Sequence, residues 1–190
     1  MKALYKLNVG CGKNIMEGFV NIDSADIPGV DINCNLEYAR IDLPDESVEL
    51  FFLSHILEHI HDTLGLMQEL YRLAIPDAAM IIKVPFGSSD EAWEDQTHIR
   101  AYFPGSFRYF SQPLYWRSDY GYWADWQPKF VQLMLDKERF EGIEINEAYK
   151  IVRLERNAVK EMLCDMVAVK PARGRDKNLI ENTRVGLRLV

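Results

Sequence analysis

An apolar strand-like run, Leu4-Tyr5-Lys6-Leu7-Asn8-Val9, opens directly into Gly10-Cys11-Gly12, and eleven residues after Gly12 the run Phe19-Val20-Asn21-Ile22 closes on Asp23. Glycines at a strand end let the backbone turn sharply and let a ligand approach it closely. A carboxylate at the end of the neighbouring strand can accept both hydroxyls of a ribose. A nucleoside site at the carboxyl ends of parallel strands is therefore the first expectation.

The connection separates nucleosides from one another. A dinucleotide site needs a third glycine and a full helix whose N-terminus meets a pyrophosphate. Here Ile15 stands at the third glycine's place, and Lys13 to Gly18 is shorter than a crossover helix of about ten residues. NAD and FAD are disfavoured, and a nicotinamide dehydrogenase is the weakest of the competing readings. No Gly-Lys-Ser/Thr phosphate loop occurs, which removes ATP or GTP held by that device.

Gly10-Cys11-Gly12 followed by Gly18-Phe19-Val20-Asn21-Ile22-Asp23 resembles the class I S-adenosylmethionine-dependent methyltransferases, and within them a small bacterial group with a short first crossover. A second block, Leu43 to His59, resembles the fourth strand and following loop of that group, and the likeness extends over roughly residues 4–110. The resemblance implies a Rossmann-like α/β fold, a mostly parallel sheet flanked by helices with an antiparallel last strand. It implies S-adenosylmethionine as cofactor, with S-adenosylhomocysteine as its product. It places Asn8, Gly10, Cys11, Gly12, Asp23, Asn35, Leu36, Ser54 and His55 around that cofactor, the Gly10 and Gly12 amides facing its methionine part. Asn8 and Asn35 stand where many members carry acids, so a cofactor-binding module without catalysis is an open alternative. Asp95-Gln96-Thr97-His98-Ile99-Arg100 resembles a D-x-T-H-x-R segment of the same group. His98 beside Asp95, or His55, is then a candidate to take a proton from the acceptor.

His55-Ile56-Leu57-Glu58-His59 also spells H-x-x-E-H, the zinc signature of inverted zinc peptidases. Two histidines four apart on a helix share a face and can share a metal, with Glu58 as base. Because the segment follows the strand-like Val48 to Leu53 directly, His55 is expected at a strand end, where that geometry is lost. No metal is expected, and a zinc hydrolase stays as an alternative.

At 190 residues with a net charge of −7, the chain reads as one domain, residues 1–170, with an insertion at about 86–130 and a basic tail at 171–190. The acidic balance disfavours nucleic acid as a partner, since phosphate-backbone binding needs concentrated positive charge. Cys11, Cys34 and Cys164 are odd in number and scattered, which suggests neither disulfides nor a zinc cluster and fits a reducing cytoplasm. No apolar stretch reaches the roughly 20 residues of a membrane span.

Strands are expected at Leu4 to Val9, Phe19 to Ile22, Val30 to Ile32, Val48 to Leu53, Met80 to Val84, Phe130 to Leu135, Ile143 to Asn146 with Ile151 to Glu155, and Met166 to Val169. A helix is expected over Asp62 to Ala74, capped by Asp62 or Thr63, striped by Leu66, Met67, Leu70, Leu73 and Ala74, and stopped by Pro76. The insertion holds all four tryptophans. It reads either as a lid or acceptor pocket or as a satellite hydrophobic cluster. The tail is left three fates: free, packed on a second subunit of a homo-oligomer, or covering the site. The function implied is methyl transfer to a small-molecule or glycan acceptor.

Overall fold

The computed structural model describes residues 4–38 and 40–190. Eight strands form one sheet: β1 (Tyr5–Val9), β2 (Val20–Asp23), β3 (Ile32–Asn33), β4 (Val48–Ser54), β5 (Ala74–Pro85), β6 (Trp126–Leu135), β7 (Glu161–Ala168) and β8 (Arg184–Leu189), in the spatial order 3-2-1-4-5-7-6-8. The pairings β1 with β2 and β4, β2 with β3, β4 with β5, and β6 with β8 are parallel. β7 runs antiparallel between β5 and β6. This is the expected sheet with its antiparallel strand, lengthened by β8 at the edge.

α1 (Thr63–Leu73) is capped by Asp62, whose carboxylate accepts from the Gly65 amide, and it buries Leu66, Met67, Leu70 and Leu73 as its spacing predicts. It ends at Leu73, three residues before Pro76. That proline lies inside β5, in an exposed stretch where the ladder to β4 is interrupted, as a residue without an N–H requires. The further helices are α2 (Glu91–Glu94), α3 (Lys137–Phe140) and α4 (Ile145–Leu154). α4 overturns the expectation of strands at Ile143 to Asn146 and Ile151 to Glu155. It buries only Ala148 and Val152, too few positions to register a helical period against β-branched isoleucines and valines.

Among the described residues no helix lies between β1 and β4, so the short connection must satisfy its own polar backbone. Asn21 does this from inside β2: its amide oxygen accepts from the Met16 amide at 2.9 Å, and its Nδ2 donates to the Met16 and Phe19 carbonyls at 3.2 Å each. Asn8 Nδ2 donates to Asn21 Oδ1 at 2.9 Å and to the Asn14 carbonyl at 2.7 Å. Two buried amides thus do the work of a crossover helix.

The insertion divides. Phe107, Phe110, Tyr115, Tyr122 and Trp126 join the main core, where Trp126 packs edge-on to Phe51 with ring centres 5.5 Å apart and donates to the Met67 carbonyl. Trp93, Tyr109, Tyr120 and Trp123 are exposed, Tyr120 to 71%. The buried rings extend the main core rather than forming a satellite cluster, and the exposed rings are those left to line a pocket.

The tail is folded onto the sheet. Asp125, 0% exposed, accepts from Arg173 Nε at 2.7 Å, Arg173 Nη2 at 2.8 Å, the Arg173 amide at 3.0 Å and the Gln112 amide at 3.1 Å. This clamps the start of the tail to the insertion and to the head of β6. Arg173→Ala leaves a buried carboxylate without its countercharge, which costs about 3–5 kcal/mol. A lowered urea midpoint with an unchanged slope is the expected result.

Candidate functional site

The parallel strands end together. Gly10, Asp23, Asn35, His55 and Phe86 follow or close β1, β2, β3, β4 and β5 at the same edge of the sheet, the position at which open α/β sheets bind ligands. Because β7 runs the other way, it starts at this edge, with Glu161 opposite Pro85. Only the register reveals Glu161. Its carboxylate lies 2.8 Å from Lys83 Nζ and 3.4 Å from His55 Nε2.

The glycine loop is held by β2. The Gly10 and Cys11 amides both donate to the Ile22 carbonyl, at 2.8 and 3.0 Å, and the Gly12 amide donates to Asp23 Oδ2 at 2.7 Å. The expectation that the Gly10 and Gly12 amides face a ligand is corrected on this point: they are directed into the neighbouring strand. What Gly12 offers is space. Its φ of +50° suits a residue without a side chain, and nothing lies within 4 Å of where a Cβ would stand. Gly10, with φ +67°, serves a different purpose, because a Cβ there would lie 2.5 Å from Ile56 Cγ1. The absent side chain allows the loop after β4 to close against the loop after β1.

Asp23 Oδ1 accepts from the Ala25 amide at 2.9 Å. With one backbone donor on each oxygen, the carboxylate is oriented and still has lone pairs for two hydroxyls. Asn35 Oδ1 accepts from the Glu37 amide two residues on, at 3.0 Å, so that oxygen is engaged in its own turn beside the buried Leu36. Asn8 is buried and spent on Asn14 and Asn21. Cys11 is a buried free thiol whose pKa is raised first by burial and then by Asp23. Cys34 and Cys164 are also unpaired.

Ser54 ends β4, and His55 leaves it in the left-handed region at φ +52°, with its amide on the Lys83 carbonyl. Leu57–His59 form a single 3₁₀ turn. His55 is therefore at a strand end, as its place after Val48 to Leu53 predicts, and shares no helix with His59. Its Nδ1 is 3.4 Å from Glu58 Oε1. Glu58 is the main influence raising the imidazole's pKa, against burial, which lowers it.

His98 is brought to this region by the return of the insertion: the Ile99 amide donates to the Glu58 carbonyl at 2.9 Å, and the Gly87 amide to the Tyr102 carbonyl at 2.7 Å. The His98 ring lies 4.7 Å from that of His59. Its Nε2 is 3.9 Å from Asp95, and its side chain is only 9% exposed. It sits behind the loop after β4 rather than on an open surface.

A cavity of about 570 Å³ opens in the insertion, walled by Tyr102, Phe103, Tyr109, Phe110, Tyr115 and Tyr120, with Thr63, Arg100 and Ser106 as polar members. None of its lining residues belongs to the glycine loop. Arg100 is held in its wall by Thr63 Oγ1 at 2.6 Å and the His61 carbonyl at 3.0 Å. Tyr115 donates to the Tyr109 carbonyl, and burial pushes its phenol up to about 12, so the wall is neutral there.

The Gly10 to Ile56 contact makes a separable prediction. Gly10→Ala adds left-handed strain of roughly 1–2 kcal/mol and a clash. Ile56→Ala placed in the same chain removes the two shortest contacts, at 2.5 and 2.7 Å, and leaves the Cβ contact at 2.9 Å and the strain. A double-mutant cycle in thermal unfolding is expected to show favourable coupling between the two substitutions.

Residues 7–82 match the family model described as a methyltransferase domain. No curated protein sequence matches the chain. In fold the chain is similar to an S-adenosylmethionine-dependent methyltransferase from Archaeoglobus fulgidus, at 14% identity over 87% of this chain and 86% of the other, with a TM-score of 0.61. It is similar to the YcgJ protein of Bacillus subtilis, at 10% identity over 89% and 93%, TM-score 0.54. An S-adenosylmethionine-dependent methyltransferase from Mesorhizobium loti gives 12% identity over 87% and 91%, TM-score 0.53. Residues 7–82 thus match a methyltransferase domain, and the sheet has the fold of these S-adenosylmethionine-dependent methyltransferases.

Proposed function

We propose that this protein methylates a small-molecule or saccharide-type acceptor, holding the cofactor nucleoside over Gly12 and Asp23 and the acceptor in the aromatic cavity of the insertion. The observation that carries the reading is the open space above Gly12 beside a carboxylate already oriented by the Gly12 and Ala25 amides. S-adenosylmethionine supplies a methyl group activated on a sulfonium. Asp23 would accept from the two ribose hydroxyls. Glu161, paired with Lys83 and 3.4 Å from His55 Nε2, would set the charge at this edge.

The acceptor class rests on the cavity. Aromatic rings present flat apolar faces on which a sugar or a small ring can lie, while Arg100, Thr63 and Ser106 offer a few directional polar contacts. The net charge of −7 favours such an acceptor over nucleic acid. Alignment of acceptor and donor and exclusion of water by this wall would supply most of the acceleration.

Titration calorimetry with S-adenosylmethionine and S-adenosylhomocysteine tests the nucleoside site. Charge-assisted bonds are worth about 1.5–3 kcal/mol each, so Asp23→Asn is expected to raise Kd by roughly tenfold or more. Equal affinity in wild type and variant would refute the ribose role. The acceptor site is tested separately with Tyr120→Ala, which is expected to raise the acceptor KM while leaving cofactor affinity unchanged. A loss of cofactor binding instead would place Tyr120 in the wrong site.

A further inference from the structure

Glu58 is 1% exposed, yet neither of its carboxylate oxygens has a hydrogen-bond partner among the described residues. His55 Nδ1 stands 3.4 Å from its Oε1 as an ion-pair contact without a hydrogen bond. A buried carboxylate left in this way is costly unless a cation meets it. Two imidazoles converge on the same place. His98 Nδ1 is also buried and without a partner. His59 and His98 meet edge to face, at 67°. One ligand atom from each of Glu58, His59 and His98 lies within 4.8 Å of the others.

The surroundings orient these groups as they would metal ligands. His59 Nδ1 is engaged by Thr97 Oγ1 at 2.9 Å and stands 3.3 Å from the Thr97 carbonyl, which leaves its Nε2 free. Asp95 accepts from the Thr97 amide and hydroxyl, at 2.8 and 2.6 Å, and faces His98 Nε2 from 3.9 Å. A carboxylate or carbonyl behind each ligating imidazole is the usual arrangement at metal sites.

We propose that Glu58, His59 and His98 form a binding site for a divalent transition metal ion, tying the loop after β4 to the beginning of the insertion. Two imidazoles and one carboxylate suit zinc and its neighbours, and leave coordination positions open. Metal–ligand distances of about 2.0–2.2 Å bring tetrahedral ligand atoms to roughly 3.4 Å from one another, so the three side chains would close by about an ångström. The site differs from the His55 and His59 pair suggested by H-x-x-E-H, since it takes His98 from another segment. Arg100 and Tyr102, two and four residues beyond His98, line the 570 Å³ cavity.

The test is competition for Zn²⁺ between the chelator-stripped protein and a chromogenic chelator, with His61→Ala as control. His61 is exposed and bonded to Glu37. Wild type and His61→Ala are expected to bind one equivalent. Glu58→Gln and His98→Asn are each expected to weaken binding at least tenfold, and Asp95→Asn about tenfold. Absence of a stoichiometric site in wild type, or equal affinity in Glu58→Gln and His98→Asn, overturns the proposal. Should a variant fail to fold, Co²⁺ added to the unaltered protein decides. An intensified, shifted visible spectrum supports the site, and the spectrum of the free ion refutes it.

Discussion

The bonds from the Gly10 and Cys11 amides to the single carbonyl of Ile22 anchor the carboxyl edge of the parallel strands. They hold the loop after β1 against β2 and leave Gly12 beside Asp23, so loop and acid act as one rigid unit. Without a crossover helix, that unit would have unsatisfied backbone groups on its buried side. Asn8 and Asn21, both almost wholly buried, supply the missing partners. The asparagine in place of an acid at position 8 thus has a structural reason: Nδ2 donates twice, which a carboxylate could not do.

A second constraint is the close approach of two loops. Ile56 occupies the space a side chain at Gly10 would need, and this places the left-handed His55 and the buried Glu58 next to the first loop. A non-glycine residue at φ +52° is held by its surroundings, here by the His55 amide on Lys83 and by the packing of Ile56. Strain at such a position is common at functional edges. From the other side β7 delivers Glu161, so Glu58 and Glu161 both face His55 and Glu161 pairs with Lys83.

The insertion and the tail depend on each other. Core rings such as Trp126 and Tyr122 root the insertion in the sheet, while the Asp125 to Arg173 clamp closes it from below. The exposed tyrosines can then line a cavity without collapsing into the core. β8 completes the sheet edge beside β6, so the tail continues the fold into an eighth strand. A boundary drawn at residue 170 from charge alone misses this, because a basic composition says nothing of a buried acceptor waiting 48 residues upstream.

Much was legible in the chain. The glycine loop, the short connection, Asp23 and the block ending in His59 identify the sheet and its direction, because these signals are local and turn chemistry is read from consecutive residues. The stripe of α1 was readable for the same reason: Leu66, Met67, Leu70 and Leu73 repeat at helical spacing. α4 is not legible in the sequence, because two buried positions make no period. Tertiary structure alone decided that the loop amides turn inward to β2, that Glu161 faces His55, and that His98 meets His59 beside an unpaired Glu58. Those outcomes depend on register and on the return path of the insertion. Such contacts between distant residues are chosen by packing, which no short stretch of sequence encodes.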